Sequence, residues 1–527
     1  MRVPHRCGSR ELSARAGGGS PAAAARASTG VLTATCVSAF VVNANTSAVS
    51  ILLPAISEDT GSSLATLQWA VTGYSLVGAA VIVTSGALGD IFGRRRIFIG
   101  GLLLFVASCV LIALAESGGM VIAGRAVQGA AGSTILACGL SLLSAGTSGD
   151  EQMRAVSLWG AASAAGAAAG PLVGGALVDV TGWQGLFWVD AVIAAVCVPL
   201  TLRTVPESSD PSRSRSVDVA GTVLIAAVLV PFVFAVTEGA DWGWLSAPTL
   251  VCFLVSAAAV VAFVAVEKRV RAPLLDLALL RNRFLVGSSV AILVVAGCIN
   301  AVMYVCSLYF QNPDGLGMTP LEAGVATLPA AAGIVITAPL ITRFVDRLGA
   351  RKVIAAGFGI ATVAFVVFAF VTADWTYAVF VVPLVVLAFG LGLANGPSSS
   401  VATACVTTDQ VGAASGISNM GRYVGSAVLT AVTAALFSAV YTRQHANSAA
   451  VADALAAGFS RSAIGLALFC AFGIVLTLLV GRIRPTGPPT TAHYAAAAAA
   501  GSHTVPTRPV PTRPVTTRTD PVNGAPE

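Results

Sequence analysis

The sequence predicts an all-α protein that crosses a lipid bilayer many times. Of its 527 residues, 56% are hydrophobic and only 10% are charged, whereas soluble domains carry about 25% charged residues. Apolar runs recur along the whole chain with short polar breaks between them. Each run approaches or exceeds the roughly 20 residues that a helix needs to cross the hydrocarbon core of a bilayer.

The distribution of charge predicts which ends of these helices face the cytoplasm. About fourteen spans fit into the chain, the tenth of them at 321–343, and this even number places both termini on one side. Basic clusters such as Arg94–Arg96 and Arg351–Lys352 fall in alternate loops, and acidic residues such as Glu58 and Asp374 occupy the others. By the positive-inside rule, we expect a multi-pass protein of the cell membrane with both termini in the cytoplasm.

Polar stretches divide the chain into two groups of six spans. The predicted order is a disordered cytoplasmic N-terminal tail (1–30), a six-helix bundle (31–203), a linker with two extra spans and an amphipathic segment (204–283), a second six-helix bundle (284–481) and a disordered cytoplasmic tail (482–527). The basic segment EKRVRAPLLDLALLRNRF (267–284) is the amphipathic part, and we expect it to form an interfacial helix.

One motif occurs twice, at matched positions in the two groups. GDIFGRRR (89–96) follows the second span of the first group, and RFVDRLGARKV (343–353) follows the second span of the second group. Each has an aspartate, a glycine three residues later and then a basic cluster. Such repetition is typical of internally duplicated membrane folds.

The residue types of the first copy indicate a compact turn between two helices. Gly86 and Gly89 allow close approach of a neighbouring backbone, and Gly93 permits a tight turn. Asp90 lies at the end of a helix, where its negative charge would stabilise the N-terminus of the next helix. Its carboxylate can also form an ion pair with Arg94. The alternative is that the arginines only fix the topology, and this stays open for Arg96 in particular.

The stretch GALGDIFGRRR (86–96) resembles the signature loop between the second and third helices of the major facilitator superfamily. The arrangement of six, two and six spans is similar to the fourteen-span drug:proton antiporter branch, as are IAGRAVQGAAGS (122–133) and GAASGISNMGRYVGSA (412–427). The resemblance implies two pseudo-symmetric six-helix bundles plus two extra central helices. It also implies a cytoplasmic latch made of Gly86, Gly89, Asp90, Gly93, Arg94 and Arg95, with a second copy at Asp346, Gly349 and Arg351.

The fourth span contains an arginine, and the fifth span contains a glycine-rich motif. A buried arginine such as Arg125 is costly in hydrocarbon unless it is paired or faces water. The resemblance implies a role for it in proton or substrate coupling, with Gln128 beside it, and structural pairing to a helix end is the alternative. The fifth span carries a motif that the family associates with exporters, although generic helix packing is also open: Gly166, Gly170, Pro171, Gly174 and Gly175.

The first span departs from the family pattern. Asn45 stands where the family usually has an aspartate, and an asparagine side chain cannot titrate. Asp190, in the sixth span, stands where the family usually has an asparagine. We expect Asp190 near the outer end of its helix, solvated at the interface, and Asn45 near the middle of the membrane. A simple relocation of the proton site is therefore disfavoured, and proton coupling is left open.

A central cavity is expected between the two bundles at mid-depth. Arg422, which follows Asn419 in an Asn-x-x-Arg element, is expected to face this cavity, with snorkelling to the cytoplasmic surface as the alternative. Depth and polarity suggest these lining residues: Asn43, Asn45, Tyr74, Gln128, Asn300, Tyr309 and Asn419.

The resemblance implies a secondary transporter that exports a drug-like or amphipathic small molecule, driven by proton influx. A facilitator or an exporter without proton coupling, and a non-transporting membrane sensor, stay open as alternatives. The expected partners are a small-molecule substrate, protons and the bilayer, with the protein acting as a monomer and using no cofactor.

Other classes of function lack the residues that they need. The four histidines lie in the tails or an outer loop, away from any pattern of metal ligands or catalytic triad, so no enzyme and no metal site is expected. The net charge of +6 comes from basic residues grouped between apolar runs. It therefore does not indicate nucleic-acid binding.

Overall fold

The computed structural model describes residues 21–146, 149–209, 218–270, 275, 277–330, 341, 343–345, 347–407, 410–447 and 450–480. Helices connected by short loops make up these ranges. In chain order they are α1 (Pro21–Thr60), α2 (Leu64–Phe92), α3 (Arg94–Ala113), α4 (Gly118–Gly146), α5 (Gly149–Thr181), α6 (Gln184–Thr204), α7 (Val219–Trp242), α8 (Ala247–Glu267), α9 (Arg283–Gln311), α10 (Pro320–Ala326), α11 (Ala350–Phe368), α12 (Tyr377–Ala404), α13 (Val411–Ala446) and α14 (Val451–Leu479).

Thirteen helices of the described part are long and apolar enough to cross a membrane. They match thirteen of the fourteen predicted spans. The remaining predicted span, 321–343, begins with α10, and its residues 331–340 and 342 lie outside the described residues. The end of the helices that carries the turn with Arg94–Arg96 is called here the arginine-rich side, and the other end is called the opposite side.

Local signals set where several helices begin. Ser63 caps α2 by accepting a hydrogen bond from the Thr66 amide at 3.1 Å. At the start of α10, Thr319 and Glu322 form a capping box, in which each side chain accepts from the other residue's backbone amide. Polar caps of this kind satisfy backbone amides that have no partner inside the helix.

The two halves of the chain pack by the same rule. In the first half, Gly170 of α5 lies so close to the Ala44 carbonyl of α1 that no side chain could fit between the two helices. In the second half, Gly425 of α13 lies equally close to the Leu293 carbonyl of α9. Small residues allow this backbone contact within a bilayer. The equivalent helix pairs support the predicted pseudo-symmetry of two six-helix bundles.

The extra helices α7 and α8 lie beside the seam between the bundles. Val233 of α7 packs in one apolar cluster with Leu76 of α2 and Ala427 of α13, which belong to different halves. Near the opposite side, Trp69 of α2 donates to the Glu238 carboxylate of α7 at 3.4 Å. The helix pair therefore covers the α2–α13 seam from outside.

The two halves also contact each other near the opposite side. Ser307 of α9 donates to the Ser50 carbonyl of α1 at 2.5 Å, and Gln311 donates to the Ile51 carbonyl at 3.0 Å. Gly324 of α10 packs on the Pro171 carbonyl of α5. These contacts close the seam on the side that the charge pattern predicts to be extracellular.

Two boundaries differ from those predicted. Helix α1 begins at Pro21, so residues 21–30 of the predicted disordered tail are helical, while residues 1–20 and the tail 482–527 lie outside the described residues. The segment 267–284 does not form one amphipathic helix. Among its described residues, α8 ends at Glu267, a short 3₁₀ helix spans Leu279–Arg281, and α9 begins at Arg283. Asn282 caps α9 and so interrupts any continuous helix.

Candidate functional site

The turn between α2 and α3 has the geometry that its sequence predicts at Gly93, Asp90 and Arg94. The close backbone approach predicted at Gly86 is wrong, because this glycine has open space beside it. The amide of Gly93 donates to the Gly89 carbonyl at 3.0 Å, and Gly93 has a φ of +108°, which side chains rarely adopt. Asp90 and Arg94 form an ion pair at 3.0 Å across this turn. The glycine reverses the chain, and the ion pair fixes the end of α2 against the start of α3.

The linker after α6 docks onto this turn, a contact that sequence reasoning missed. Glu207 accepts from the Arg95 amide at 3.1 Å and pairs with the Arg96 guanidinium at 3.5 Å. The Ser208 carbonyl accepts from the Arg94 amide at 2.8 Å. Glu207 thus places its negative charge at the N-terminus of α3, where the helix dipole favours it. The one sequence signal was an acidic residue just after the sixth span.

The second copy of the motif has the same turn. Gly349 has a φ of +83°, its amide donates to the Val345 carbonyl at 2.8 Å, and α11 begins at the next residue. Arg351 donates to the Leu478 carbonyl of α14 at 2.5 Å. Asp346, the predicted acid of this copy, lies outside the described residues.

A polar network lies buried inside the first bundle. Arg125 of α4 is 0% exposed and donates from Nε to the Ala70 carbonyl of α2 at 3.1 Å. Its Nη1 donates to Asn45 Oδ1 of α1 at 2.6 Å and also to Gln128 Oε1. The guanidinium carbon stands 4.3 Å from the centroid of the Tyr74 ring. Three helices therefore hold one buried cation, and the predicted neighbour Gln128 is one of its partners.

Asp190 completes this network, contrary to the expectation that it would be solvated at the interface. The Asn45 amide donates from Nδ2 to Asp190 Oδ2 at 2.7 Å, and Asp190 is only 4% exposed. The expectation was wrong because depth was counted along α6 alone. The helix turns Asp190 toward α1, where Asn45 reaches it. Asn45 consequently bridges a buried arginine and a buried carboxyl group.

An aromatic pair connects this network with the second bundle. The rings of Tyr74 and Tyr423 of α13 have centroids 6.3 Å apart, and Gly78, one turn along α2, leaves the space that the Tyr423 ring fills. Nearby, the hydroxyl oxygens of Ser75 and Ser426 are 3.1 Å apart. The buried cation thus stacks on a ring that itself contacts the other half of the protein.

Arg422, next to Tyr423, is directed toward its own bundle. Its guanidinium donates to Asn395 Oδ1 of α12 at 3.2 Å and to Ser399 Oγ at 3.4 Å. The side chain is half-buried. These bonds hold the guanidinium against α12, so it does not extend to the cytoplasmic surface. Whether Arg422 faces a central cavity stays a prediction.

The glycine motif of α5 forms two packing surfaces. Gly166, Gly170 and Gly174 recur every four residues and face the α1 backbone, at Phe40, Ala44 and Ala48 respectively. Gly175 and Pro171 instead face α10 of the other half, since Gly175 packs on the Pro320 carbonyl and the Pro171 carbonyl packs on Gly324. The same helix therefore seals its own bundle and the seam between the bundles.

The structure separates the predicted cavity residues into three groups. Asn45, Tyr74 and Gln128 belong to the buried Arg125 network. Three others are half-buried asparagines, each bonded one turn back on its own helix: Asn43, Asn300 and Asn419. Tyr309 was wrongly predicted, because its ring lies inside the second bundle, with centroids 5.5 Å from those of both Phe380 and Phe459. Its ring belongs to the aromatic core of that bundle, and its hydroxyl donates to the Thr372 carbonyl at 3.4 Å.

Comparison with known proteins agrees with this geometry. Residues 35–430 match the Major Facilitator Superfamily, a range that covers most of the chain and both halves of the fold. The chain belongs to the Major Facilitator Superfamily. It is accordingly a multi-pass membrane transporter and not an enzyme.

Curated relatives include named drug exporters. The chain is 32% identical over 413 residues to multidrug resistance protein Stp of Mycobacterium tuberculosis, covering 77% of this chain and 76% of that protein. It is also 32% identical over 391 residues to the multidrug efflux pump LfrA of Mycolicibacterium smegmatis, covering 74% of this chain and 77% of the pump. The cephamycin export protein CmcT of Amycolatopsis lactamdurans is 29% identical and covers 88% of the chain and 95% of itself.

Solved structures agree on the fold. An auto-inhibited peptide transporter of the POT family superposes with a TM-score of 0.64 at 14% identity, covering 89% of this chain and all of that one. A bacterial homologue of the human lysosomal transporter Spinster, in an inward-facing and unoccupied conformation, superposes with a TM-score of 0.59 at 15% identity, covering 92% of this chain and all of that one. At these identities the likeness concerns the fold alone.

Proposed function

We propose that this transporter exports drug-like or amphipathic small molecules across the cell membrane in exchange for protons. The names of LfrA, an efflux pump, and CmcT, an export protein, support export, and the name of Stp, a multidrug resistance protein, supports drug-like substrates, since these relatives match most of the chain. An alanine-rich, apolar interior suits an amphipathic solute better than a strongly hydrated one. Proton entry would supply the energy without any cofactor, and the protein would act as a monomer with both termini in the cytoplasm.

The observation that carries proton coupling is a carboxyl group held within the membrane beside a buried cation. Ionisable residues inside spanning helices are costly and mark ion pathways in pumps and transporters. Here Arg125 and Asp190 both lie inside the first bundle, and Asn45 joins them. If these side chains served only to stabilise the bundle, apolar side chains of similar volume would do so without the free-energy cost of desolvating charged groups.

The α2–α3 turn would act as the cytoplasmic latch of the transport cycle. Asp90 and Arg94 fix the geometry of this turn, and Glu207 fastens the linker to it. When the two bundles rock about the central pocket, a rigid turn at the end of α2 moves as one piece with its bundle. The latch would thereby stabilise one of the two alternating states.

Dye flux into vesicles tests the proposal. The purified protein is reconstituted into liposomes, a pH gradient is imposed, and the movement of ethidium is followed with and without a protonophore. We expect concentrative uptake into acidic vesicles that stops when the protonophore collapses the gradient. Downhill flux that ignores the gradient would instead indicate a facilitator, and the absence of flux for ethidium and for a panel of uncharged lipophilic dyes would indicate a sensor. Either result overturns the proposal.

A further inference from the structure

Three carboxyl groups are buried among the described residues: Asp190, Asp218 and Glu267. Asp218 caps the start of α7, where it accepts from the Gly221 amide at 2.7 Å, and Glu267 is the last residue of α8. Both therefore lie at helix ends on the arginine-rich side. Asp190 alone of the three lies in the interior of a spanning helix and not at its end, about two turns from the first residue of α6.

We propose that Asp190 is the residue that binds and releases the transported proton, and that Asn45 transmits its protonation state to Arg125. This inference rests on the proposed function, because it names the group that would couple export to proton entry. The geometry supplies the chain of contacts: Asp190 Oδ2 accepts from Asn45 at 2.7 Å, and Asn45 Oδ1 accepts from Arg125 at 2.6 Å.

The helices packed around Asp190 present few groups that could compete for the proton. On α1 the facing group is the amide of Asn45, on α4 it is the guanidinium of Arg125, and on α3 it is the thiol of Cys109, which accepts from Gln128 at 3.0 Å. Helix α5 also contacts α6, and its charged residues lie toward its two ends: Asp150, Glu151 and Arg154 in its first turns and Asp179 in its last.

Asp190 and Arg125 have two charge states, which differ in whether the Asp190 carboxyl group carries a proton. With Asp190 ionised, its negative charge offsets the positive charge of Arg125, and the Asn45 bond is a charge-assisted one. A proton from the outer aqueous phase that binds the carboxylate removes the negative charge and leaves a weaker, neutral bond. Arg125 then stands in the bundle without its counter-charge, and this state is costly at low dielectric. Release of the proton to the cytoplasm restores the ionised pair.

The change can reach the other half of the protein through Tyr74. Arg125 stacks on the Tyr74 ring at 4.3 Å, and that ring contacts Tyr423 across the seam. A guanidinium that loses its counter-charge is drawn toward the remaining acceptors and the ring face. A displacement of the Arg125 guanidinium would therefore move the Tyr74 ring and alter its contact with Tyr423. This α2–α13 contact must change when the two bundles rock against each other.

The test exchanges the acid and the amide between the two helices. In vesicles, Asp190→Asn should lose ethidium uptake driven by the pH gradient, because two amides leave no group that titrates. The double variant Asn45→Asp with Asp190→Asn keeps one carboxyl and one amide in the same contact and should recover gradient-driven uptake. Asp179→Asn, at an exposed position toward the end of α5, is the matched control and should transport like the unmodified protein.

A spectroscopic measurement separates this inference from the proposed function. Infrared titration of the reconstituted protein, without any substrate, should show a buried protonated-carboxyl band that disappears in Asp190→Asn and returns in the double variant. This holds even if ethidium and every other dye fail to move, which would overturn the proposed function alone. Gradient-driven uptake retained by Asp190→Asn, or a titrating band that this variant leaves unchanged, would overturn the assignment of the proton to Asp190.

Discussion

Ser75 of the first bundle and Ser426 of the second have their hydroxyl oxygens 3.1 Å apart, in the middle of the α2–α13 seam. The neighbouring Tyr74 and Tyr423 rings pack across the same seam. Alternating access requires the two bundles to rock against each other, so a contact this close between them must loosen during the cycle. Cross-linking this pair of serines therefore tests whether the two bundles must move apart at the α2–α13 seam during transport.

Cross-linking the seam should stop transport. In a variant without native cysteines, Ser75→Cys combined with Ser426→Cys should form a disulfide on oxidation, because the two side chains already approach within bonding reach. Dye flux should fall to the level of protein-free vesicles and return after reduction. Ser85→Cys with Thr134→Cys is the control, since these hydroxyls are 2.7 Å apart within one bundle and their cross-link should leave flux unchanged. Full flux through an oxidised Ser75–Ser426 variant would show that the seam stays closed.

Removing the charge of Asp90 should impair transport without affecting folding, if the α2–α3 turn acts as the proposed latch. Asp90→Asn keeps the size of the side chain but removes the ion pair with Arg94. We expect a strong loss of dye flux at normal expression and an unchanged melting temperature, since partly exposed ion pairs contribute roughly 0–1 kcal/mol to stability. Flux and thermal stability measured on the same preparation check this. Unimpaired turnover would exclude a latch role for Asp90.

A side chain at Gly93 should strain the α2–α3 turn. Gly93 has a φ of +108°, and an added Cβ would stand 2.6 Å from the Glu207 carboxylate. Holding a non-glycine residue in such a sparsely populated backbone conformation costs about 1–3 kcal/mol, and Glu207 would also have to leave the N-terminus of α3. Gly93→Ala should therefore lower the melting temperature, whereas Gly86→Ala should not, because its Cβ would meet open space. Equal melting temperatures for the two variants would contradict the strained turn.

The glycine stripe of α5 should tolerate no added volume. Gly170→Ala would place a methyl group against the Ala44 carbonyl and the Ser47 hydroxyl, and α1 would have to move away. Overpacking of this kind costs about 1–3 kcal/mol. Gly160→Ala, on the same helix with open space beside it, is the control. Thermal unfolding in detergent should rank Gly170→Ala well below both the control and the unmodified protein.

The sequence was sufficient for the spans and for the α2–α3 turn, because both depend on local features. Hydrophobic runs of membrane length have few alternatives to a spanning helix. A glycine flanked by an acid and a base at helix ends likewise has one favourable arrangement, and Gly93, Asp90 and Arg94 adopt it. The same reasoning predicts the turn in the second copy of the motif, where Gly349 also has a positive φ.

Contacts between distant helices could not be predicted in the same way. The bond between Asn45 and Asp190 depends on how α1 and α6 are rotated about their axes, and hydropathy does not specify this where a helix is apolar on every face. Glu207 was missed because its partners lie more than a hundred positions earlier in the chain. Tyr309 was misplaced because a tyrosine can fill an aromatic core as well as line a cavity.

The hydrogen bond between α1 and α6 also limits how the acid can change helix over evolutionary time. In a pair made of one carboxyl and one amide, either helix could contribute the acid, although only position 45 also accepts directly from Arg125. A single-step path between these two arrangements must pass through two acids or two amides. Two amides abolish titration altogether, whereas two acids sharing one proton retain it. Lineages that keep the proton-driven cycle are therefore expected to cross between the arrangements through the diacid.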